Sequence, residues 1–543
     1  MAEEFVKDDR LIALALDASR HRRMLAEPGG ERVVLDEIAR AHRVLADRPR
    51  PELATALRLA RHRWACMSAE NRDAEAGGGD PHEALDELLS ALDKTGDREA
   101  VARVADLLRQ AAAQVDQDSD SGACELVMIV QTLAGVGQVD QAEQLIAAVP
   151  DPRTQGQAQS LLAQLLAMKG DFPRAEHTIN AITDADLRST AWIQLVSPLT
   201  EAGDRTAALR AVQRAEEAIA GTDAGEQSSK LNHLVQALLP DGDPAVVQRI
   251  AIQAEEVALT LSDPHDHDWE CVSAVYALAL TGQFDRAEHL IPGIADRAPR
   301  ELAMLKLVDG LAGAGDFDRG LRVAAGITDA DTRSNAQGQL VGSLAEAGDV
   351  ARAEATAAAI TSPSARATAL NRLAGALIEA GDQAGARPVV QDAERAVATI
   401  EHPATRSLTR QRLVQTLIEA GDFEQAELTA LAAIEGSDPD FDLNRLAEGM
   451  IDAGDLIGAR RVVELAEPFA VAITDGDARA WSLSSLAANY FAVGATDDAV
   501  RLLVDATGGG PWYRTLSTVA AVDPDAIRAV AEDLLNEETP NGA

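Results

Sequence analysis

The densest run of groups able to do chemistry is SDPHDHDWEC at residues 262–271, where Asp263, His265, Asp266, His267, Asp268 and Glu270 follow one another closely. Imidazole and carboxylate donors suit zinc or manganese. Asp263, His265, His267 and Asp268 are therefore the metal-ligand candidates, with a metal-dependent hydrolase at 263–270 as the activity they would serve. A second constellation is polar rather than catalytic: an amide and an arginine stand side by side at Asn371-Arg372, Gln411-Arg412 and Asn444-Arg445. Amides can pair with the backbone of an extended peptide, and arginines can hold carboxylates with two parallel hydrogen bonds. No HExxH, P-loop, GxSxG or DDxxD pattern accompanies them, and the GGG runs at 77–79 and 508–510 lack the Lys-Ser/Thr that cradles phosphate. No catalytic residue is assigned and no cofactor is expected.

The elements that must position these groups repeat. Gly96, Gly137, Gly170, Gly203, Gly242, Gly282, Gly315, Gly348, Gly381, Gly421, Gly454 and Gly494 are separated by 41, 33, 33, 39, 40, 33, 33, 33, 40, 33 and 40 residues. A period in this range marks a stacked array. Four residues before the glycine stands a large apolar residue, as at Leu311, Leu344, Leu377 and Leu417, and eight before it usually a leucine, as at Leu307, Leu340, Leu373 and Leu413. That step lines one face of a helix. Five residues after the glycine sits alanine in most units, as at Ala353, Ala386 and Ala426, where two helices can approach. Each unit thus reads as helix A, a tight turn and helix B. The glycine ends helix A in the left-handed conformation, and Asp171, Asp204, Asp316, Asp349, Asp382, Asp422 and Asp455 cap helix B. The seven extra residues of a long unit fit helix B, because two turns take about 7.2 residues and preserve the buried face.

The register bears on the first constellation. His267 lies fifteen residues before Gly282, a slot held by Arg188, Arg300, Arg333, Arg366, Arg406 and Arg479 in other units. The string therefore replaces an ordinary turn between units, and successive residues of a turn rarely converge on one ion, so metal hydrolysis is the weaker reading. On the second constellation, each arginine could instead pair with an acid of its own stack, Glu379, Glu419 or Asp452. Trp269, Tyr276, Phe441, Trp481, Tyr490 and Phe491 fall on helix A and are expected mostly in the core.

The segments LIEAGDFEQAE at 417–427, LAGAGDFDRG at 311–320 and LAMKGDFPRAE at 166–176 resemble the tetratricopeptide repeat, with its helix A leucine, Gly-Asp-aromatic turn and helix B alanine. The resemblance spans about residues 81–508, with the early tryptophan of the motif kept only near Trp192. It implies an all-α, right-handed superhelical solenoid of about twelve helix-turn-helix units. It also implies peptide binding through asparagine and basic residues in a concave groove.

Composition agrees with helices. Of 543 residues 46% are apolar and only 3% aromatic, with alanine abundant, which favours close helix packing over sheets. The net charge of −39 argues against a nucleic-acid groove or an anionic membrane surface as the partner, since both would repel such a chain. Residues 1–80 hold 14 Lys and Arg against 15 Asp and Glu, so nearly all the acidity lies in the repeats. The start, MAEEFVKDDR, does not resemble a signal peptide and no long apolar run follows, which gives a cytoplasmic expectation. Cys66, Cys124 and Cys271 are scattered, without CxxC spacing, and read as reduced thiols. Residues 1–75 read as three helices near 8–26, 31–47 and 51–70, carrying basic strings RHRR (20–23) and RHRW (61–64) on solvated faces. A Gly-rich hinge at 76–80, the array at 81–508, capping helices at 509–536 and a disordered tail at 537–543 complete the expected division.

Together these features point to a non-enzymatic scaffold holding a protein or peptide partner in the groove, with Asn371, Arg372, Gln411, Arg412, Asn444 and Arg445 as its contacts. The alternative is a regulatory sensor that responds to a peptide or small ligand. The partner and the oligomeric state are not encoded in any motif.

Overall fold

A computed structural model describes residues 2–27, 29–46, 48, 52–67, 83–112, 115, 120–239, 242–431, 439–509 and 511–538. The expected hinge at 76–80 lies outside them. Among the described residues every regular element is a helix, and none is long and apolar enough to cross a membrane.

The repeat forms as its glycines and aspartates dictate. Positive φ is found at Gly96, Gly137, Gly170, Gly203, Gly282, Gly315, Gly348, Gly381, Gly421, Gly454 and Gly494. Gly242 is the exception: its φ is not positive, and a Cβ there would lie 2.5 Å from the Leu238 carbonyl oxygen, so close approach rather than handedness requires glycine. All seven expected aspartates accept an amide of the first turn of helix B, among them Asp349 from Arg352 N at 3.3 Å and Asp382 from Gly385 N at 2.9 Å. Asp184, Asp263, Asp329 and Asp475 likewise cap helix A. Leu311, Leu344, Leu377 and Leu417 are buried, as are Ala353, Ala386 and Ala426. Gly320 takes the alanine slot in its unit, where a Cβ would stand 2.8 Å from Leu340 Cδ2.

Helix B has two lengths. It spans ten residues at Phe172–Ala181, Phe317–Gly326 and Val350–Ala359, but fifteen at Arg205–Ile219 and Pro244–Ala258, sixteen at Gln383–Ala398 and seventeen at Leu456–Ala472. The added turns keep their apolar face inward, with Val389, Val390, Ala393 and Val397 all buried. Among the described residues the chain is an all-α array of helix-turn-helix repeats.

Contacts divide the described residues into two compact units: Gln117–Ala134 with Glu143–Ala420, and Met1–Asp116 with Gly135–Ala142 and Gly421–Ala543. In the larger unit the helices A from Pro152–Met168 to Pro363–Glu379 each pack against the next and against their own helix B. In the other, the two ends of the chain meet. The first part has four helices rather than three, Ala2–Ala15, Ala18–Leu25, Gly30–Ala46 and Leu53–Cys66, because Asp17 caps a new helix by accepting Arg20 N at 2.9 Å. Leu53–Cys66 packs on Thr496–Gly509 and on Pro524–Glu538, where Arg58 pairs with Asp533. Buried His42 meets Thr507 Oγ1 at 3.0 Å, and wholly buried Tyr513 reaches Glu83 Oε2 at 3.2 Å. Burial pushes the His42 imidazole down to about 4, helped by the Arg63 charge. Glu537 and Glu538, expected in the tail, continue the last helix; 539–543 lie outside the described residues.

Candidate functional site

The string 262–271 is the start of a helix rather than a turn. Helix Pro264–Leu280 begins with Asp263 as its cap, accepting His265 N at 2.9 Å and Asp266 N at 3.2 Å. Asp268 is buried and accepts Ala295 N at 3.0 Å and Asp296 N at 2.8 Å, the amides that open the next helix A. Burial raises this carboxyl, but those amides and His267 more than offset it and leave it below its ordinary range. Glu301 does the same one unit later, accepting Thr328 N at 3.1 Å and Asp329 N at 3.2 Å. Both stand fourteen residues before their glycine, so the shared register makes Asp268 a strut between units. His265 is exposed and faces Trp269 edge-on at 6.3 Å. Asp263, His265, His267 and Asp268 thus do not gather at one point.

Glu270 is different. It is 7% exposed and accepts Ser229 N at 2.6 Å from the neighbouring helix Ala224–Leu238. Burial pushes its carboxyl up to about 7, with the negative charges of Glu226 and Asp266 adding to the rise against the Ser229 and Ser228 hydrogen bonds. Among the described residues no cation faces it within ion-pair distance.

The amide-arginine pairs split by role. In the larger unit, Asn371 turns toward the next helix A and donates from Nδ2 to the Arg412 carbonyl at 3.3 Å, while Gln411 is half-buried. Arg372 and Arg412 are exposed. Arg372 lays its stem over Gly342, a Cβ there meeting Arg372 Cδ at 3.4 Å, and donates to the Gly338 carbonyl at 3.4 Å. Neither arginine pairs with Glu379 or Glu419; the latter accepts Gln415 Nε2 at 2.8 Å. In the other unit, buried Asn444 receives Asn489 Nδ2 at its Oδ1, 3.2 Å away, and Arg445 stands exposed over the Phe441 ring at 5.9 Å. The amides link helices; the guanidinium groups face outward.

One more cation of this register, Lys306, went unnoticed in the sequence. Nine residues before the glycine, the slot of Arg372 and Arg412, the preceding units carry Lys306 and Gln339. Lys306 Nζ sits 4.3 Å from the Tyr276 ring centroid and makes no ion pair among the described residues. Aligning the units on this slot would have revealed the row. The aromatics also depart from expectation: Trp269, Trp481 and Phe491 are exposed, Tyr276 and Phe441 are half-buried, and Tyr490 alone of the six is core. Phe441 stacks on Trp481 with 5.7 Å between centroids, which leaves one indole face to solvent rather than to the core.

Helix B treats cations otherwise. Arg174 donates to Glu143, Arg249 to Glu216, Arg286 to Glu255, Arg319 to Glu288 and Asp285, Arg352 to Asp318, all one unit back in the larger unit. Arg461 and Arg501 do so with Glu427 and Glu467 in the other.

No protein-family model matches the chain, and no curated protein matches it. Among solved structures, Ton1535 from Thermococcus onnurineus NA1 is 15% identical, covering 67% of this chain and 99% of its own, at a TM-score of 0.26. The APC/C hetero-tetramer Cut9-Hcn1 is 13% identical, covering 98% and 96%, at 0.22. A circular tandem repeat protein with novel repeat topology is 16% identical, covering 84% and 98%, at 0.15. At TM-scores this low, none of the three bears on what this chain does.

Proposed function

We propose that this chain is a protein-interaction scaffold whose helix A faces hold extended, carboxylate-bearing polypeptide segments. The observation that carries the reading is the row Lys306, Arg372 and Arg412. These cations are aligned in register and at least partly exposed, and each is without an ion-pair partner among the described residues, in a chain where acids far outnumber bases. A peptide running across successive helices A would meet Lys306, then the amide of Gln339, then Arg372 and Arg412, one residue per unit. Carboxylate side chains would neutralise the cations two-pronged at arginine, and the backbone would lie against the polar residues between them. In the other unit, Arg445 beside the Phe441–Trp481 stack offers a cation next to exposed aromatic surface, a combination common where peptides anchor. The groups engaged in linking helices, Asn371 and Asn444, position the arginines rather than touch the partner. The concave groove implied by the repeat is the natural place for this face.

Random-peptide display against the immobilised full chain tests the reading. Enrichment of sequences rich in Asp and Glu is expected, and a chain carrying Arg372→Glu and Arg412→Glu should bind the enriched peptides at least tenfold more weakly. A library with no acidic bias, or a double variant with unchanged affinity, would sink it.

A further inference from the structure

Two short basic strings, RHRR at 20–23 and RHRW at 61–64, bring their histidines together. His21 is wholly buried on Ala18–Leu25, and His62 is half-buried on Leu53–Cys66. The rings lie 15° from parallel with 5.1 Å between centroids, and His21 Nδ1 is 2.9 Å from His62 Nε2. Cys66, buried one helical turn after His62, places Sγ 3.8 Å from the same Nε2. Among the described residues, this is the one group of three or more His, Cys, Asp or Glu side chains whose ligand atoms all lie within 4.8 Å of one another.

We propose that His21 Nδ1, His62 Nε2 and Cys66 Sγ bind a zinc-class divalent cation. Two imidazoles and a thiolate are the donors that borderline-soft ions take, whereas magnesium and calcium require oxygen. Tetrahedral zinc with ordinary bond lengths separates two nitrogen ligands by about 3.3 Å and nitrogen from sulfur by about 3.5 Å. The spacings found, 2.9 and 3.8 Å, reach those values by small side-chain rotations. Residues four apart on a helix share a face, so His62 and Cys66 are held in register by the helix itself. The outer shell is also present. Glu37 Oε1 lies 3.6 Å from His21 Nε2, and Glu37 is fixed in turn by Arg20, whose second nitrogen donates to Oε2 at 2.8 Å. With the ion on Nδ1, the His21 proton would sit on Nε2, beside the Glu37 carboxylate and Arg20 Nη1, which lies 3.5 Å from that nitrogen.

Binding converts the Cys66 thiol to a thiolate and releases its proton to solvent, while both imidazoles bind neutral. Three protein ligands leave the fourth tetrahedral position to water. The ion would lock Leu53–Cys66 to Ala18–Leu25. Because Arg58 on the former helix pairs with Asp533, the same ion would secure the meeting of the two chain ends within their unit.

The test uses the full chain, stripped with a chelator under reducing conditions and titrated with Co²⁺, then Zn²⁺. One equivalent of Co²⁺ should give tetrahedral absorption and a thiolate-to-cobalt charge-transfer band, both bleached by Zn²⁺, and Zn²⁺ should raise the melting temperature. Cys66→Ser should abolish the charge-transfer band, and His62→Gln should weaken Zn²⁺ at least tenfold. The pair His265→Gln with His267→Gln, and Cys124→Ser, should change neither. A wild-type chain without the band overturns the proposal, as does a band that survives Cys66→Ser or vanishes in Cys124→Ser. Should His62→Gln fail to fold, the wild-type titration and the near-isosteric Cys66→Ser decide it.

Discussion

The two helices of a repeat unit place charge in opposite ways. On helix B, arginines at equivalent positions are paired with carboxylates of the preceding unit, as Arg319 with Glu288 at 2.6 Å and with Asp285 at 2.7 Å. On helix A, Lys306, Arg372 and Arg412 occupy one register and pair with no acid among the described residues, while the buried acids Asp268 and Glu301 bind backbone amides. Helix B therefore uses arginines to stitch neighbours, whereas helix A joins neighbours through amide hydrogen bonds and the ion pair of Lys230 with Asp186, and leaves Lys306, Arg372 and Arg412 unpaired. Exposed ion pairs contribute little each, roughly 0.2–1 kcal/mol. The unpaired row forgoes even that contribution, which is why the proposed function rests on it.

The sharpest way to break this contrast is to disturb the spacing of helices A. A Cβ on Gly310 would stand 2.7 Å from Ala279 Cβ and 2.8 Å from its backbone carbonyl, so Gly310→Val should destabilise by about 2–3 kcal/mol through overpacking. Thermal unfolding measures this, and a melting temperature within a degree of wild type would refute the close contact.

A second test concerns Glu270, a helix A carboxylate without a cation, against Glu255, which has Arg286. The Glu270 carboxyl is raised from 4.5 to about 7 by burial. Its contribution to stability is therefore complete below pH 4.5 and is lost as pH rises through about 7. At pH 8 Glu270→Gln should stabilise the chain by roughly 3 kcal/mol, since each tenfold weakening of an acid on folding is worth about 1.4 kcal/mol, with the gain fading toward pH 5. Denaturant melts at both pH values check the sign; stabilisation that grows toward acid would contradict it.

Smaller effects separate binding from stability on the two rows. Arg372→Glu with Arg412→Glu should cost at least tenfold in acidic-peptide affinity, about 1.4 kcal/mol, yet leave the melting temperature nearly unchanged. Arg319→Ala should do the converse, leaving peptide affinity intact and lowering stability by about 1 kcal/mol, less in molar salt. Equal effects of both changes on binding would erase the distinction between the rows.

Much of this was legible along the chain. Gly381 and Asp382 announce the corner of a helix pair because few residues tolerate positive φ and few side chains reach back to a first-turn amide. Leu377 and Ala386 show which faces are buried. The seven-residue insertions were legible as longer helices B, since seven residues return the chain to nearly the same face. Asp268 was harder, because a carboxylate that binds a distant amide looks like a metal ligand until its counterpart Glu301 is seen doing the same work. The aromatics misled for a related reason: Trp269 and Trp481 obey helical spacing yet fall on the outward side of the stripe, which periodicity alone does not orient.

The sequence by itself determined the helix pair, its turn, its caps and its two lengths, because these depend on residues within one or two turns of one another. Tertiary structure alone decided which arginines find carboxylates, since their partners lie more than thirty residues away in the preceding unit. It alone brought His21 to His62 and Cys66, and Arg58 to Asp533, contacts that no local propensity encodes. A repeat specifies its own interior through short-range chemistry; what stands between repeats, and between the ends of the chain, is fixed only when they pack.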